Sequence, residues 1–224
     1  MLHAITVSAT MFAQTVRDAA NYASKDQFSD PGLSCIVLTA QAKTKTLTVS
    51  ACDGKGYYER KLPLVWAKGD PKPSLPSKES RICIAAQDAA KIAKLIPNRS
   101  TGNVTLEVND AISPKENHYQ LTLVLPDGGT STLLTPNDVT LPDYNRIVNR
   151  ALKGKKEASP MQNLFLPIQE LTRLAKVMPK KEGGISFYMA KEKVGGIVLL
   201  EYQQPEEDLD LRIIFMLSIM TDAA

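Results

Sequence analysis

The stretch ICIAAQDAAKIAKLIP, residues 82–97, has a counterpart further along the chain in LFLPIQELTRLAKVMP, residues 164–179, and the two align without a gap. Each begins with a short apolar run, continues with regularly spaced apolar and basic residues, and ends at a proline. Apolar residues that recur every three or four positions predict an amphipathic helix, and a proline marks where it stops. The chain therefore uses one structural unit, a strand followed by a helix, more than once.

An earlier copy of this unit lies at the start of the chain. Alternating residues in HAITVSA (3–9) predict a strand, and the next segment places Phe12, Thr15, Val16 and Ala19 on one face of a helix. Three strand-like segments follow it: CIVLTAQ (35–41), TLTVSACD (46–53) and GYYERKLPLV (56–65). The turns between them are predicted around 43–45 and at Asp53-Gly54. The first unit is thus a strand, a helix and three strands.

The same order occurs twice more. The second copy has the strand RICIA (81–85), the helix AQDAAKIAKLI (86–96) and the strands VTLEV (104–108), YQLTLVL (119–125) and TSTLLT (130–135), with a hairpin turn at Asp127-Gly128-Gly129. The third has the strand NLFLP (163–167), the helix IQELTRLAKVM (168–178) and the strands ISFYMA (185–190), GIVLLEY (196–202) and LDLRIIFMLSIM (209–220). The predicted fold class is α+β, with three repeats of strand, helix and three strands.

Two polar segments separate the units. AKGDPKPSLPSKES (67–80) holds three prolines, which is typical of an exposed connector. NRIVNRALKGKKEASP (145–160) holds five basic residues and one acidic residue, and is interpreted as a second linker or a loosely attached helix. The predicted organisation is a complete domain over 1–147, made of units 1–75 and 76–147, a basic linker over 148–160, and a half-domain over 161–224.

Composition limits the classes of protein to consider. The chain has 224 residues, of which 43% are hydrophobic and 23% charged, as in soluble globular proteins. No apolar run approaches the ~18 residues of a membrane span, and a cytoplasmic location is expected. Cys35, Cys52 and Cys83 are widely spaced without a CxxC pair, so buried free thiols are expected rather than disulfides or zinc. The net charge of +3 is too small to name nucleic acid as a partner by itself.

In their order along the chain, several short motifs resemble the DNA sliding clamps, in particular the bacterial beta subunit of the replicative polymerase. These are Ala51-Cys52-Asp53, where the family usually has alanine, threonine and aspartate; SRICIAAQDAAKIAKLIP (80–97); and LLTPNDVTLPDY (133–144), whose end resembles the family's aspartate, phenylalanine and proline. The resemblance covers 1–147 as one domain and 161–220 as half of another. It implies paired units, with helices lining a central hole and sheets forming the outer wall. Three units are a departure, since bacterial clamps carry six and phage and eukaryotic clamps four.

The aligned helices repeat their basic residues. Gln14, Lys91 and Arg173 share one position of the repeat, and Arg17, Lys94 and Lys176 share another, three residues later. That spacing places both positions on one helix face, opposite an apolar stripe made of Phe12, Ala89, Leu171, Val16, Ala93 and Ala175. Long cationic side chains suit phosphate contacts without sequence information, and Arg99, Lys180 and Lys181 would extend the face. A DNA-binding face is therefore predicted; the alternative is that these side chains only solvate the helices.

The last predicted strand is apolar on both faces. A strand covered on both sides would explain this pattern. The resemblance implies a second explanation, because the C-terminal segment of bacterial clamps lines the pocket for short peptides of polymerases and the clamp loader. By position, Phe215, Met216, Leu217 and Met220 are the corresponding partner-binding residues, and methionines suit a surface that accepts several partners.

Enzymatic motifs are weak by comparison. His3 and His118 lie in no recognisable motif, and the glycine-rich turn at Asp53 lacks the lysine and hydroxyl residue of a phosphate loop. A hydrolase that uses Cys52 or Ser50 would need a base that the sequence does not place. Neither an enzyme nor a cofactor is expected.

The resulting hypothesis is a processivity factor that encircles or cradles double-stranded DNA and tethers a DNA polymerase or clamp-loader-like protein. The alternative is a clamp-fold adaptor that binds proteins without encircling DNA. Because the odd third unit leaves one sheet and one helix uncovered, a homo-oligomer is expected through the C-terminal half-domain.

Overall fold

A computed structural model describes residues 2–25, 30–41, 44–65, 81–97, 100–109, 118–136, 139–156, 168–178, 184–190, 196–204 and 207–217. Four helices lie in these ranges: α1 (Ala9–Ala20), α2 (Ala86–Leu95), α3 (Tyr144–Lys156) and α4 (Ile168–Val177). The strands before α3 are β1 (Leu2–Ser8), β2 (Cys35–Gln41), β3 (Thr46–Cys52), β4 (Gly56–Pro63), β5 (Arg81–Ala85), β6 (Asn103–Asn109), β7 (His118–Val124) and β8 (Thr130–Pro136). After α4 come β9 (Gly184–Ala190), β10 (Gly196–Gln204) and β11 (Glu207–Leu217).

The strands form two antiparallel sheets in which the first two units exchange strands. One sheet has the order β1-β6-β7-β8, and the other has the order β5-β2-β3-β4-β11-β10-β9. The first strand of unit one therefore pairs with the meander of unit two, and the first strand of unit two pairs with the meander of unit one. Each of the two sheets therefore contains strands from both of the first two units.

The third meander extends the seven-stranded sheet. Strand β11 pairs antiparallel with β4, so that Arg212 lies opposite Glu59 and Ile214 opposite Tyr57. The last strand of unit one, β4, is thus hydrogen-bonded directly to a strand of the predicted half-domain. The first strand predicted for that half-domain, 163–167, lies outside the described residues.

Alternation along the strands gives the seven-stranded sheet two buried faces. Tyr58, Ile213 and Phe215 point into the core shared with α1, α2 and α4, and we call this side the helix face. Tyr57 and Ile214 point to the opposite side, which we call the outer face, where α3 covers them. A period of two in the pleated chain produces this division. Because β11 is buried on both sides, its continuous apolar run has a structural explanation.

Turn chemistry agrees with the sequence expectations at two hairpins. Gly54 has φ +86° and Gly128 has φ +83°, a region that glycine enters without the penalty a side chain meets. Asp53 Oδ1 accepts hydrogen bonds from the backbone N–H groups of Lys55 and Gly56, at 3.0 and 2.8 Å. These bonds hold the turn between β3 and β4 and leave the second carboxylate oxygen of Asp53 available for a distant partner.

The predicted apolar stripe is confirmed for two helices and is wrong for the third. Phe12 and Val16 of α1 are buried, as are Ala89 and Ala93 of α2. The equivalent residues of α4, Leu171 and Ala175, are exposed. Helix α4 instead buries Leu174 and Val177. Two apolar diagonals run along α4, and tertiary contacts rather than periodicity select the one that faces the core.

The basic segment after unit two is helical, which agrees with the second of its two sequence interpretations. Helix α3 begins where Asp143 Oδ1 accepts the backbone N–H of Arg146 at 3.0 Å, an N-terminal cap. Tyr144 and Ala151 are buried on one side of the helix. None of the described helices is long and apolar enough to cross a membrane. The domain boundaries and the number of repeat units stay predictions.

Candidate nucleic-acid interface

Helices α1 and α2 pack against each other, and Arg17 bridges them. Its Nη2 donates to the carbonyl oxygen of Ala93 at 3.3 Å, while its Nη1 donates to Gln14 Oε1 at 3.2 Å. Gln14 in turn donates to Asp18 Oδ1 at 2.8 Å. The Arg17 guanidinium therefore lies against the last turn of α2, which also carries the exposed Lys94.

Lys91 and Lys94 differ in their surroundings, although both are exposed. Lys91 Nζ lies 2.7 Å from Asp88 Oδ1, and the Lys91 side chain is 69% exposed. No ion pair joins Lys94 to another residue within the described ranges. Lys176 on α4 is exposed as well. At the repeat position shared by Arg17, Lys94 and Lys176, the two lysines are exposed to solvent and Arg17 is half-buried. None of the three cations has an acid on its own helix three residues earlier.

Arg173 is held inside the chain. Its Nη1 donates to both carboxylate oxygens of Glu170 at 2.9 and 3.0 Å, and its Nη2 donates to Asp53 Oδ2 at 2.8 Å. Nε and Nη2 also donate to the carbonyl oxygen of Asn21, at 3.0 and 2.7 Å. The guanidinium carbon lies 4.6 Å from the centre of the Tyr22 ring. All five N–H donors of Arg173 are therefore used, and its side chain is only 17% exposed.

The pKa of Arg173 is consistent with these contacts. Burial lowers the pKa of Arg173, but Asp53 and Glu170 outweigh that effect, so the pKa lies above its usual value. Opposite charges at hydrogen-bonding distance favour the charged form of a buried group. Arg173 is therefore a permanently charged anchor between α4 and the first unit.

The aligned helices repeat an acid as well as a base. Asp88 and Glu170 occupy equivalent positions, and each pairs with the cation three residues later, Lys91 in α2 and Arg173 in α4. An i,i+3 pair of opposite charges is a normal local contact on a helix. Of the two predicted positions, the one shared by Lys91 and Arg173 therefore serves pairing within the chain, whereas the position of Arg17, Lys94 and Lys176 suits an external anion better.

Asn21 connects the two cationic regions. Its Nδ2 donates to the carbonyl oxygen of Arg17 at 3.1 Å, and its own carbonyl oxygen accepts the two bonds from Arg173. A continuous chain of hydrogen bonds thus runs from α2 through Arg17 and Asn21 to α4. The three helices that carry the predicted DNA-binding face are fastened to one another at this point.

Four residues of this network were not predicted from the sequence: Asn21, Tyr22, Asp53 and Glu170. Asp53 belongs to the Ala51-Cys52-Asp53 motif and to a predicted turn, and Glu170 aligns with Asp88 in the two repeated stretches. An acid at the same repeat position as another acid, three residues before a cation, was the available signal. No comparable signal exists for a backbone carbonyl such as that of Asn21.

Among the predicted partner-binding residues, the structure describes the side chain of Phe215 but not the other three side chains. Phe215 is completely buried in the core on the helix face, so the expectation that it contacts a partner is corrected. Met216 and Leu217 belong to β11, but their side chains lie outside the described residues. Met220 lies outside them entirely, as do the predicted DNA-binding residues Arg99, Lys180 and Lys181.

The cysteines are free and buried, as expected from their apolar surroundings. Burial raises the pKa of Cys83 to about 12 and also raises the pKa values of Cys35 and Cys52. A nucleophilic cysteine needs the opposite shift. Within the described ranges, no group of three or more His, Cys, Asp or Glu side chains could hold a metal ion.

Comparisons with known proteins identify the fold. No protein-family model matches the sequence, and a search of curated proteins finds no significant match. Among solved structures, the chain is similar to the H. pylori beta clamp in complex with diflunisal, with a TM-score of 0.62 and 11% identity. It is also similar to the Bartonella birtlesii DnaN sliding clamp bound to griselimycin, at 0.61 and 14%, and to the Streptococcus pyogenes DNA polymerase beta subunit, at 0.59 and 12%.

Each similarity covers 96% of this chain but only 66%, 65% and 64% of those three proteins, in the same order. The chain therefore spans about two thirds of the length of the clamps that it matches. The chain has the fold of the bacterial DNA sliding clamps.

Proposed function

We propose that this chain is a sliding-clamp-like DNA-binding protein that encircles or cradles duplex DNA without sequence specificity. In this role it tethers a polymerase or another DNA-processing protein to its template. The fold supports the proposal, because the similar structures are beta subunits of DNA polymerase and sliding clamps. Such a protein catalyses no reaction, and its contribution is to keep another protein close to DNA.

The observation that carries the proposal is the contact of Arg17 with the last turn of α2, which also carries Lys94. The hydrogen bond from Arg17 to the carbonyl of Ala93 supports the proposal that two copies of one repeat position, on packed helices, contribute to one cationic surface. Lys176 supplies the third copy on α4, whose buried residues share the core of α1 and α2. Cations repeated on packed helices suit a regular array of phosphates.

Phosphate contacts of this kind explain how a protein binds DNA and still slides. They supply affinity and orientation but carry no sequence information. Lys and Arg release condensed counterions when they neutralise phosphates, so the affinity falls steeply with salt. We call the surface of Arg17, Lys94 and Lys176 the helix-face cation row.

The test measures binding of a fluorescein-labelled duplex by anisotropy across a salt series from about 50 to 200 mM. Lys94→Gln with Lys176→Gln should weaken binding and reduce the slope of log K against log salt by about 0.9 for each cation removed from the contact. The matched control is Lys61→Gln with Lys153→Gln, which removes the same charge from the opposite side of the sheet. Equal losses in both double variants would contradict the proposed surface.

A second copy of the chain is proposed to cover α4. Leu171 is 46% exposed and Ile168 is 81% exposed, whereas the residues equivalent to Leu171 in α1 and α2 are completely buried. Helix α1 packs on α2, but α4 lacks a partner helix among the described elements. Packing α4 against the same helix of a second chain would bury this apolar stripe and give the third unit the partner that the other two have.

The adaptor alternative is favoured by one observation. Lys91 and Arg173, two of the predicted DNA-binding cations, are already paired with acids of their own helices. A chain whose own acids neutralise part of its cationic face has fewer cations left to bind phosphates. Absence of binding to both linear and circular duplex would support the adaptor.

A further inference from the structure

Helix α3 lies on the opposite side of the seven-stranded sheet from the helix-face cation row. It covers the outer face of the seven-stranded sheet, where Tyr144 and Ala151 pack with Tyr57 and Ile214. The rings of Tyr57 and Tyr144 lie 5.3 Å apart. Because α1, α2 and α4 lie on the other face, α3 is separated from the proposed DNA surface by the whole sheet.

The solvent side of α3 is strongly basic. Arg146, Arg150 and Lys153 recur at intervals of four and three residues and are exposed, with Asn149 between them. Together with Asp143 and Asn145, they line a surface groove of about 430 Å³. We call these six residues the α3 groove. Helical spacing puts its cations on one side, opposite the buried residues of the same helix.

The α3 groove holds both donors and acceptors of hydrogen bonds. Arginine forks and a lysine suit carboxylates or phosphates. The two asparagine amides can both donate and accept, and Asp143 offers only acceptor oxygens when ionised. A peptide supplies N–H groups for such acceptors as well as carboxylates for the cations. A phosphate backbone supplies acceptors alone and therefore leaves the acceptor oxygens of the groove without donors.

The groove also lacks a feature of single-stranded nucleic-acid sites. Such sites stack bases on exposed aromatic rings. Tyr144 is the aromatic residue of α3, and it is buried on the opposite side of the helix. Charge complementarity and hydrogen-bonding capacity therefore favour an acidic polypeptide over nucleic acid.

We propose that the α3 groove binds an acidic peptide segment of a partner protein. Arg146, Arg150 and Lys153 pair with carboxylates of that segment, and Asn145 and Asn149 hydrogen-bond its backbone. This surface is independent of the helix-face cation row, because the two lie on opposite faces of one sheet. Peptide binding and DNA binding can therefore be lost separately.

The experiment uses the full chain and a fluorescein-labelled peptide of about twelve residues in which glutamate alternates with glycine. Arg146→Gln with Arg150→Gln and Lys153→Gln should weaken peptide binding about tenfold at low salt, since each exposed pair adds a modest amount. A peptide with glutamine in place of glutamate should bind the native chain about as weakly. Thermal unfolding of the triple variant near the native temperature would show that the fold is intact.

The matched control is Lys91→Gln with Lys94→Gln and Lys176→Gln, which removes the same charge from the helix face. It should leave peptide binding within about twofold of the native value. Equal loss in both triple variants, or equal binding of the glutamine peptide, would overturn the proposal. Displacement of the labelled peptide by duplex DNA in the helix-face control variant would instead assign the α3 groove to nucleic acid.

Discussion

Arg173 shows at the level of one residue why a predicted phosphate contact can become a structural anchor. Its guanidinium joins α4 to Asp53 and to the end of α1 through five hydrogen bonds and a ring contact. Leaving a buried, charged hydrogen-bonding partner without its donor costs about 1–3 kcal/mol. We therefore expect Arg173→Lys to lower the free energy of unfolding by about 2 kcal/mol, because lysine keeps the charge but cannot reproduce the planar fork. Urea denaturation followed by circular dichroism measures this difference.

Lys176→Ala is the control on the same helix, since Lys176 is exposed. It should change the free energy of unfolding by less than about 0.5 kcal/mol. If Arg173→Lys were equally mild, the network would contribute little, and Arg173 would return to the set of proposed DNA-binding residues.

Asp18 is a buried carboxyl group on α1 whose ionisation should affect stability. Burial raises its pKa from 3.8 to about 7, against the opposing effects of Arg60, Gln14 and Arg17. A carboxyl group with a raised folded-state pKa binds a proton on folding. Its stabilising contribution is complete below about pH 4 and is lost as the pH rises through about 7.

We expect Asp18→Asn to flatten the dependence of the unfolding free energy on pH between about 4 and 7. The largest difference from the native chain would be of the order of 4 kcal/mol. Comparing the variant with the native chain cancels the contribution of every other group that titrates in this range. Parallel pH profiles of the two proteins, measured by urea denaturation, would show that Asp18 is not the group responsible.

At the level of elements, helix α4 has two apolar diagonals with different roles. Leu174 is 7% exposed and packs in the core, whereas Leu171 is 46% exposed. Leu174→Ala should cost about 2–3 kcal/mol of unfolding free energy.

Leu171→Glu should leave the fold intact and abolish self-association, because a charge would enter the proposed helix–helix contact. Light scattering at micromolar concentration measures the mass of the native chain and of both variants.

A native chain that is monomeric under these conditions would contradict the proposed α4 contact. Self-association that survives Leu171→Glu would place the interface elsewhere. Leu95→Glu is the matched control on α2, because Leu95 is similarly exposed, at 44%, without belonging to the α4 stripe.

Much of the element order follows from local patterns. Strand alternation, the helix stops and the turns at Gly54 and Gly128 depend on neighbouring residues and were predictable. The exchange of β1 and β5 between sheets was not, because alternation identifies a strand without naming its hydrogen-bonding partner. The prediction of the buried stripe of α4 was wrong for a similar reason. Leu171 and Leu174 fit a helical period equally well, so the period does not show which of them faces the core. Spacing likewise placed Lys91 and Arg173 on a helix face but could not show that acids already held them.

At the level of the whole molecule, the contact between β4 and β11 joins the complete domain to the predicted half-domain. Arg212 Nη1 lies 2.8 Å from Glu59 Oε1, and Tyr57 donates its hydroxyl to Glu59 Oε2 at 2.7 Å. Both charged side chains are less than one fifth exposed, at 18% and 13%. Glu59 therefore stabilises the one pairing by which β9, β10 and β11 join the other described strands of the sheet.

Glu59→Gln should consequently loosen β9, β10 and β11 before the rest of the protein. A neutral amide leaves the Arg212 charge without its carboxylate, at a cost of about 1–3 kcal/mol. Local opening that costs less than global unfolding appears as selective hydrogen exchange. Amides of β9–β11 should thus exchange about tenfold faster or more, while those of β1, β6, β7 and β8 keep their protection. Glu107→Gln, on β6, is the control and should leave the β9–β11 amides unchanged. A uniform rise across both sheets in Glu59→Gln would mean that the third meander and the first two units unfold together, as one cooperative body.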